Sequence, residues 1–152
     1  MNSFEIKYSE NCASQIQIFE HLSECSKLFT IPLSDYVDIK QYSIKIRNNS
    51  ITIEAWEKEK LVGLLAIYLN DLNNIEGYIT NVSVVESFQA KGISSQLLSK
   101  TIAFTKLKKY KRIKLSVHKE NNYALKLYEK YGFKITEEDN DNFIMTKKIE
   151  IE

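Results

Sequence analysis

A short segment near the middle of the chain joins a β-branched run, a turn of small residues and the beginning of a helix. Val82–Val85 predicts the end of a strand, and Gly92 lets the backbone that follows approach a bulky anion. A helix beginning at such a turn directs unpaired N–H groups and the positive end of its dipole toward one point, which suits a phosphate or pyrophosphate. An ordinary strand-to-helix turn would carry the same pattern. The candidate phosphate-binding residues are Gln89, Ala90, Lys91, Gly92, Ile93 and Ser94.

A second segment, about thirty residues later, carries polar side chains that could act on a bound molecule. Asn121 lies where a strand is expected to pass into a helix, and Tyr128 follows two helical turns later, so both side chains can face one cleft. Asn121 could instead be only a helix cap. Tyr128 could be an apolar core contact with its hydroxyl at the surface. Taken alone, this segment leaves both alternatives open.

Together the two segments resemble the GNAT superfamily of acetyl-CoA-dependent N-acetyltransferases. In that family a strand ends in an (Arg/Gln)-x-x-Gly-x-(Gly/Ala) loop that opens a helix, and the next strand leads into an Asn-x-x-Ala…Leu-Tyr-x-x-x-Gly-Phe segment. Both patterns occur here in order, and the resemblance covers Tyr78–Phe133. The chain departs from the family at Ala90, where glycine is frequent, and at Ser94, which replaces the last glycine or alanine. Serine is small, so we expect the loop still to close on phosphate.

The resemblance implies acetyl-CoA as co-substrate and assigns roles to several residues. The backbone of Val82, Ser83 and Val84 would pair with the pantetheine arm as if the arm were another strand. Asn121 would bond the pantetheine, and Tyr128 would donate a proton to the leaving thiolate. The next strand would diverge from this one and leave a V-shaped slot for the co-substrate.

The general base is the least determined part of this site. Many relatives carry a glutamate at the position of Thr80, which cannot act as a base. Strand alternation places Glu76 on the face that also carries Tyr78, Thr80, Val82 and Val84, so Glu76 is the candidate base, acting directly or through water. Glu76 could instead be a solvated carboxylate in a turn. Some relatives use water chains without a dedicated base.

The elements that must position these residues are predicted as a strand, two helices, three strands, a helix, a strand, a helix and two strands. The first strand is indicated by the alternation of Phe4, Ile6 and Tyr8. The two helices are predicted from an Asn11 cap to about Leu28, and from a Ser34 cap over about residues 35–47. Residues 61–69 are almost continuously apolar, which predicts a central strand covered on both faces.

We therefore expect an α/β fold with a GNAT-like mixed, mostly antiparallel sheet. Helices should cover both faces, and the splay should lie between the fourth and fifth strands. Residues 1–152 should form a single domain, because the chain has no repeats, no low-complexity linker and only one proline, Pro32.

Composition excludes several classes of protein. The 152 residues are 43% hydrophobic and 27% charged, as in soluble globular proteins. The net charge of +1 favours neither nucleic acid nor an anionic membrane. The first seven residues lack an apolar signal core, and no segment approaches the ~18 apolar residues of a membrane span. Cys12 and Cys25 lack the spacing of a metal site, so we expect no metal and a cytoplasmic location with reduced thiols.

The acceptor is expected to be a primary amine on a small molecule, such as an amino sugar or a polyamine. The alternatives are acetylation of a protein lysine or N-terminus, and a non-catalytic acyl-CoA-binding regulatory module. A homodimer is possible. His118 is expected to be a partly exposed structural residue or a contact to substrate, and His21 is expected on the surface of the first helix. Candidate acceptor-facing residues are Phe29, Tyr36, Tyr42, Tyr68 and Asn70.

Overall fold

The computed structural model describes residues 5–150, which form one seven-stranded sheet flanked by helices. The strands are β1 (Ile6–Glu10), β2 (Ile51–Glu57), β3 (Lys60–Tyr68), β4 (Glu76–Val84), β5 (Arg112–His118), β6 (Lys134–Asp139) and β7 (Asn142–Lys148). The α-helices are α1 (Gln15–Cys25), α2 (Ile39–Asn49), α3 (Ile93–Leu107) and α4 (Asn122–Lys130). The spatial order is β1-β2-β3-β4-β5-β7-β6, and only the β4–β5 pair is parallel. The predicted fold class is confirmed, while Phe4 of the predicted first strand lies outside the described residues.

Strand β3 is covered on both faces, as its apolar run predicted. Leu64 and Ala66 pack into one cluster with the apolar side chains of α1 and α2. Leu65 and Ile67 point the other way, into the larger cluster beneath α3 and α4. The two sides of the sheet therefore bury two separate apolar layers, with helices on each.

A buried carboxylate fixes the chain between β1 and α1. Glu54 of β2 is fully buried and accepts hydrogen bonds from the Ser9 and Thr52 hydroxyls, both at 2.7 Å. It also accepts the backbone N–H of Ala13 at 2.7 Å and that of Cys12 at 3.0 Å. These donors compensate the cost of burying the charge. They hold the turn in an extended path, so the helix cannot begin here.

The predicted beginning of the first helix was wrong for this reason. Asn11 has a left-handed backbone with φ 53°, and its Oδ1 accepts the Thr52 N–H at 3.0 Å. Helix α1 begins at Gln15 behind a capping box, in which Ser14 accepts the Gln17 N–H and Gln17 accepts the Ser14 N–H. The helix ends at Cys25 and passes into a single 3₁₀ turn through Leu28.

The predicted beginning of the second helix was also too early. Ser34 lies in a 3₁₀ turn, Leu33–Asp35, and does not cap α2. Asp38 is the cap, because its Oδ1 accepts the Gln41 N–H at 3.1 Å. Residues 26–38 are thus a connection of short turns between α1 and α2.

Strand β4 contains a β-bulge that decides which side chains share a face. Asn81 pairs with Ala66 of β3, whereas Ile79 pairs with the next residue, Ile67, so Thr80 is the extra residue. The bulge reverses the alternation on either side of it. The expectation that Glu76, Tyr78, Thr80, Val82 and Val84 share one face is therefore wrong. Glu76 and Tyr78 lie on the α1–α2 side with Asn81 and Ser83, and Val82 and Val84 lie on the α3–α4 side.

Candidate active site

Strands β4 and β5 diverge after a short parallel contact, which confirms the predicted splay. Their pairing ends with Ile79 beside Leu115. Within residues 5–150, β5 pairs beyond that point only with β7, and residues 80–84 of β4 have no strand neighbour on this side. The gap is a cleft of about 960 Å³, large enough for an extended cofactor and a small second molecule. One edge of β4 is thus left with backbone groups that a bound extended chain could satisfy.

The loop between β4 and α3 has an unusual backbone at two positions. Gln89 secures its beginning by donating its side-chain N–H to the Val84 carbonyl at 3.1 Å. Ala90 has φ 60° and Gly92 has φ 81°, so both occupy the left-handed region. Glycine tolerates this conformation and alanine does so at a cost, which explains why glycine is frequent at the position of Ala90 in the family that the sequence resembles.

The beginning of α3 presents backbone N–H groups to the cleft. Among the described residues, the amides of Gly92, Ile93 and Ser94 donate no hydrogen bond, and Gln96 makes the first helical bond, to the Gly92 carbonyl at 3.1 Å. Gly92, Ile93 and Ser94 line the cleft, and a Cβ added at Gly92 would meet no atom within 4 Å, so the space beside Gly92 is open. Such an arrangement, at the positive end of a helix dipole, fits a phosphate or diphosphate.

Helix α4 forms the opposite wall and brings Asn121 and Tyr128 into the same cleft. Asn121 caps the helix, because its Oδ1 accepts the Ala124 N–H at 3.1 Å. The ring of Tyr128 is buried against Phe133, with centroids 5.8 Å apart. Its hydroxyl makes no hydrogen bond to a described residue, and burial raises the pKa of Tyr128 above its usual range. Tyr128 therefore offers a protonated donor to the cleft.

Glu76 is not brought into this group. Its carboxylate lies 2.9 Å from Arg112 Nε and 3.8 Å from Lys114 Nζ, and it does not line the cleft. Thr80, at the position where many relatives carry a glutamate, is engaged elsewhere. The Tyr42 hydroxyl donates to the Thr80 carbonyl at 2.8 Å and accepts from the Thr80 hydroxyl at 2.7 Å. Neither residue offers a free carboxylate beside Tyr128.

The other end of the cleft is aromatic and carries one negative charge. Asp35 is the one carboxylate among the described lining residues, and no lysine or arginine lies among them. The sequence indicated Phe29, Tyr36 and Tyr42 here but missed Asp35, because a single aspartate in an irregular connection has no local pattern. Tyr68 and Asn70 do not line the cleft. His118 does line it, and its Nδ1 accepts the Glu120 N–H at 3.1 Å.

Comparison with known proteins agrees with this geometry. A sequence model of the Acetyltransferase (GNAT) family matches residues 16–133, well over half of the chain. The protein belongs to the GNAT family. The match includes the α3 loop and the Asn121–Phe133 segment, which are the two patterns that carried the resemblance.

Its relatives within the GNAT family are distant. The chain is 31% identical over 99 residues to GCN5-related N-acetyltransferase 6, chloroplastic, of Arabidopsis thaliana, covering 60% of this chain and 34% of that protein. It is 30% identical over 92 residues to the spermine/spermidine N(1)-acetyltransferase of Bacillus subtilis, covering 59% of this chain and 60% of that enzyme. The chain therefore spans less than two thirds of the length of these curated relatives.

The GNAT fold is also shared with solved structures. The PaiA N-acetyltransferase of Thermoplasma acidophilum, crystallised with coenzyme A, superposes with a TM-score of 0.76 at 20% identity, over 95% of this chain and 99% of that one. In residues 5–150 of the present protein, no helix has the length and apolar character needed to cross a membrane. Over the same residues, no three His, Cys, Asp or Glu side chains are grouped so that they could hold a metal ion.

Sequence reasoning missed a buried polar chain beside this GNAT cleft. His21 was expected at the surface but is only 3% exposed, and its Nδ1 lies 3.1 Å from the Leu61 carbonyl oxygen. Its Nε2 lies 2.9 Å from Ser83 Oγ, which in turn lies 2.8 Å from Asn81 Oδ1. Burial lowers the pKa of His21 to about 4. The available signal was helical spacing, because His21 shares the buried face of α1 with Ile18, Leu22 and Cys25.

Proposed function

We propose that this GNAT protein transfers an acetyl group from acetyl-CoA to a primary amine of a small molecule by direct attack. The observation that carries the proposal is the open edge of β4 beyond Ile79, which shares one cleft with the Tyr128 hydroxyl and the unpaired amides of α3. These features supply an extended binding edge, an anion site and a proton donor. Acetyl-CoA needs all three, because it has a long flexible arm, a diphosphate and a leaving thiolate.

Different residues would bind the pantetheine arm and the diphosphate of acetyl-CoA. Val82, Ser83 and Val84 have backbone groups along the open edge, where the pantetheine arm would lie as an added strand. Gly92, Ile93 and Ser94 would hold the diphosphate through their N–H groups. Ala90 and Gln89 support the loop rather than the ligand, since the Gln89 amide is bonded to the Val84 carbonyl. Lys91 would add positive charge near the phosphates. Asn121 caps α4 through its side-chain oxygen, so its side-chain nitrogen can contact the pantetheine arm.

Acetyl-CoA supplies an activated thioester, and the protein must orient it and manage protons. Tyr128 would donate its hydroxyl proton toward the sulfur as the C–S bond breaks. Burial raises the pKa of the Tyr128 phenol, so it stays protonated but becomes a weaker acid, which can give its proton only to a strongly basic group such as the alkyl thiolate. The bound ammonium group must first lose one proton to become a nucleophile, and the amine loses a second when its bond to the acetyl carbon forms. Water in the open cleft can receive both protons and can return one to the Tyr128 phenolate. Glu76 is held by Arg112 and Lys114, so we do not assign it this proton.

The acceptor end of the cleft best suits a small amine that carries positive charge. Asp35 and the tyrosine rings Tyr36, Tyr42 and Tyr78 line the acceptor end, and no lysine or arginine is found among the described residues that line the cleft. A carboxylate attracts an ammonium group, and aromatic faces do so through their quadrupole. The 30% identity to a spermine/spermidine acetyltransferase supports the same class, so we propose a polyamine-like acceptor.

A second candidate function is a non-catalytic acyl-CoA-binding module. It is favoured by Thr80, which replaces a carboxylate and whose hydroxyl is bonded to Tyr42. A protein acetyltransferase is a third possibility, which would require the acceptor end to admit a peptide. We further infer that the protein works in the cytoplasm, in line with Cys12 and Cys25 being free thiols. The homodimer suggested by the family stays a prediction for light scattering to test.

The test is to mix the protein with acetyl-CoA and, separately, spermidine, glucosamine and a lysine-containing peptide. Free thiol and acetylated product are measured together, because thiol alone would also report hydrolysis. We expect equimolar thiol and acetylated spermidine. Acetylation of the peptide alone would support the protein acetyltransferase. Coenzyme A binding without thiol release from any amine would support the non-catalytic module and refute the enzyme.

A further inference from the structure

We propose that His21 is a positioning residue, which turns the Asn81 carboxamide so that its carbonyl oxygen faces the cleft and accepts a hydrogen bond from the incoming amine. Ser83 links the two side chains. The inference deepens the proposed function and rests on it for the identity of the ligand.

The first step is the position of the proton on the His21 ring. Nδ1 lies 3.1 Å from the Leu61 carbonyl oxygen, which can only accept. Nδ1 must therefore carry hydrogen. The ring is buried, and its pKa near 4 keeps it neutral at physiological pH, so Nε2 carries a lone pair. His21 is thus fixed as an acceptor toward Ser83.

The second step is the single hydroxyl proton of Ser83. Its Oγ lies 2.9 Å from His21 Nε2 and 2.8 Å from the Asn81 carboxamide, and the Cys25 thiol, a weak donor, is also hydrogen-bonded to the Ser83 side chain. The Cys25 sulfur also lies 3.7 Å from Nε2, a long contact to a weak donor, and the Ser83 backbone interacts with the ring as well. The Ser83 proton therefore satisfies Nε2. Ser83 can then only accept from Asn81.

The third step is the orientation of Asn81. A half-turn of the carboxamide exchanges Oδ1 and Nδ2 at nearly the same positions. With Ser83 accepting, the nitrogen of Asn81 faces Ser83 and the carbonyl oxygen takes the other position. Asn81 is only 6% exposed, yet the atom in that position has no bond to a described residue and is not sealed from the cleft. The protein thus leaves one oriented acceptor available to a ligand.

The location of this acceptor connects it to the amine. Asn81 is the first residue after the bulge of β4 and lies two residues beyond Ile79, where β4 and β5 separate. It belongs to the α1–α2 face, which also carries the Tyr42 and Tyr78 side of the cleft, opposite the face of Val82. An amine approaching from that side would meet a carbonyl oxygen that accepts its N–H. An outward-facing NH₂ group would repel it.

Nuclear magnetic resonance of the wild-type protein tests the orientation without any turnover. Long-range ¹H–¹⁵N correlations distinguish the two neutral tautomers of a histidine, and His21 is separated from His118 by the spectrum of a His118→Gln variant. We expect the Nδ1–H tautomer for His21, together with a nuclear Overhauser contact from the Asn81 NH₂ protons to Ser83 Hβ. An Nε2–H tautomer, or NH₂ protons directed away from Ser83, would overturn the proposal.

Kinetics test the connection to the amine. In His21→Phe and in Asn81→Leu we expect the KM for the amine to rise about tenfold, as for one lost hydrogen bond. The KM for acetyl-CoA should stay within about twofold. The double variant should be no worse than either single one, because both remove the same interaction. His21→Gln can still accept from Ser83, so it should recover part of the loss and also serves if His21→Phe does not fold.

The outcomes separate this proposal from the function on which it rests. Additive effects in the double variant, or a parallel rise in the KM for acetyl-CoA, would refute a shared role toward the amine. A wild-type protein that binds coenzyme A but acetylates no amine would refute the proposed function. In that case calorimetric titration of spermidine into the complex with coenzyme A, comparing wild type with Asn81→Leu, decides the present inference. Equal affinities would overturn it.

Discussion

The Tyr42 hydroxyl lies 2.8 Å from the Thr80 carbonyl oxygen and joins helix α2 to the bulge of strand β4. The same hydroxyl also accepts from the Thr80 side chain, so one tyrosine bonds both the carbonyl and the hydroxyl of the bulged residue. The bulge determines that Asn81 lies on the α1–α2 face of the sheet and Val82 on the α3–α4 face. Tyr42 thus stabilises the bulge. The bulge in turn decides which side chains of β4 face the proposed acceptor site and which face the proposed acetyl-CoA site.

Removing that hydroxyl should weaken both the fold and the acceptor end of the cleft. In Tyr42→Phe the Thr80 carbonyl loses its partner, so we expect the free energy of unfolding to fall by about 1 to 2 kcal/mol. Urea denaturation measures this change. The control is Tyr36→Phe, whose ring is 62% exposed and which should change stability by less than about 0.5 kcal/mol. Equal stabilities for the two variants would show that the Tyr42 bond contributes nothing to the bulge.

The Tyr128 hydroxyl should matter for turnover more than for folding. Because it makes no hydrogen bond to a described residue, Tyr128→Phe should leave the unfolding midpoint in urea almost unchanged. Loss of a proton donor should lower kcat roughly 100-fold. The affinity for coenzyme A, measured by calorimetry, should stay within about threefold. Tyr131→Phe, at the far end of the same segment and outside the cleft, is the matched control. A Tyr128→Phe variant with wild-type kcat would remove this residue from the mechanism.

The loop before α3 has two left-handed positions, Ala90 and Gly92, at which substitutions should change the stability of the fold in opposite directions. Ala90→Gly relieves an alanine at φ 60° and should stabilise the fold by roughly 0.5 to 1 kcal/mol, after the entropy that glycine adds to the unfolded chain. Gly92→Ala should destabilise the fold by about 1 to 2 kcal/mol through backbone strain at φ 81°. It should also weaken coenzyme A binding about tenfold, since shifted amides lose a hydrogen bond to a charged group. Unchanged binding in Gly92→Ala would argue that phosphate does not lie at these amides.

Local patterns in the sequence predicted the parts of the fold that depend on neighbouring residues. The apolar run of β3 follows from burial on both faces, and the turn before Gly92 follows from the conformations that few residues adopt. The splay of β4 from β5 was predicted only through the family resemblance. A strand that stops pairing leaves no signature in its own residues. Asp38 and Ser14 could have been found as caps, but Asn11 and Ser34 carry the same local signal.

The parts that sequence did not predict depend on contacts between distant elements. The bulge at Thr80 arises from the register of β4 against β3, and it invalidates any count of alternate residues across it. His21 is buried because α1 packs over Ser83 and Leu61, which are 62 and 40 residues away along the chain. Glu76 has its partners on β5 rather than in the cleft, because the parallel pairing places Arg112 beside it.

Glu76 provides a test of where the catalytic proton goes. Its carboxylate is partly exposed and paired with Arg112, so Glu76→Gln should cost at most about 1 kcal/mol of stability. We expect kcat within about twofold of wild type and an unchanged dependence of kcat/KM on pH. A tenfold loss of kcat/KM, together with loss of the acidic limb of the profile, would restore Glu76 as the base. Arg112→Gln breaks the same ion pair but keeps the carboxylate. It therefore shows whether an effect of Glu76→Gln comes from the lost ion pair or from a lost catalytic base.

Burial of His21 should make the stability of the protein depend on pH. Its pKa is about 4 in the folded state and about 6.5 when unfolded, so between these values the unfolded state binds more protons. Stability from this group is complete above about pH 6.5 and is lost as the pH falls toward 4. The charge of Glu24 raises the pKa of His21 and the charge of Lys60 lowers it, but burial has the largest effect and lowers it.

The measurement compares urea denaturation of wild type and His21→Gln at pH 7 and at pH 4.5. The wild type should lose roughly 2 to 3 kcal/mol more unfolding free energy over this range than the variant, whose glutamine does not titrate. Other groups that titrate over this range contribute equally to both proteins, because only residue 21 differs. Parallel losses in the two proteins would mean that burial does not lower the pKa of His21, which would then be protonated in the fold below about pH 6.5. Below that pH Ser83 would accept from His21 Nε2, so the orientation of Asn81 would no longer be fixed by a neutral ring.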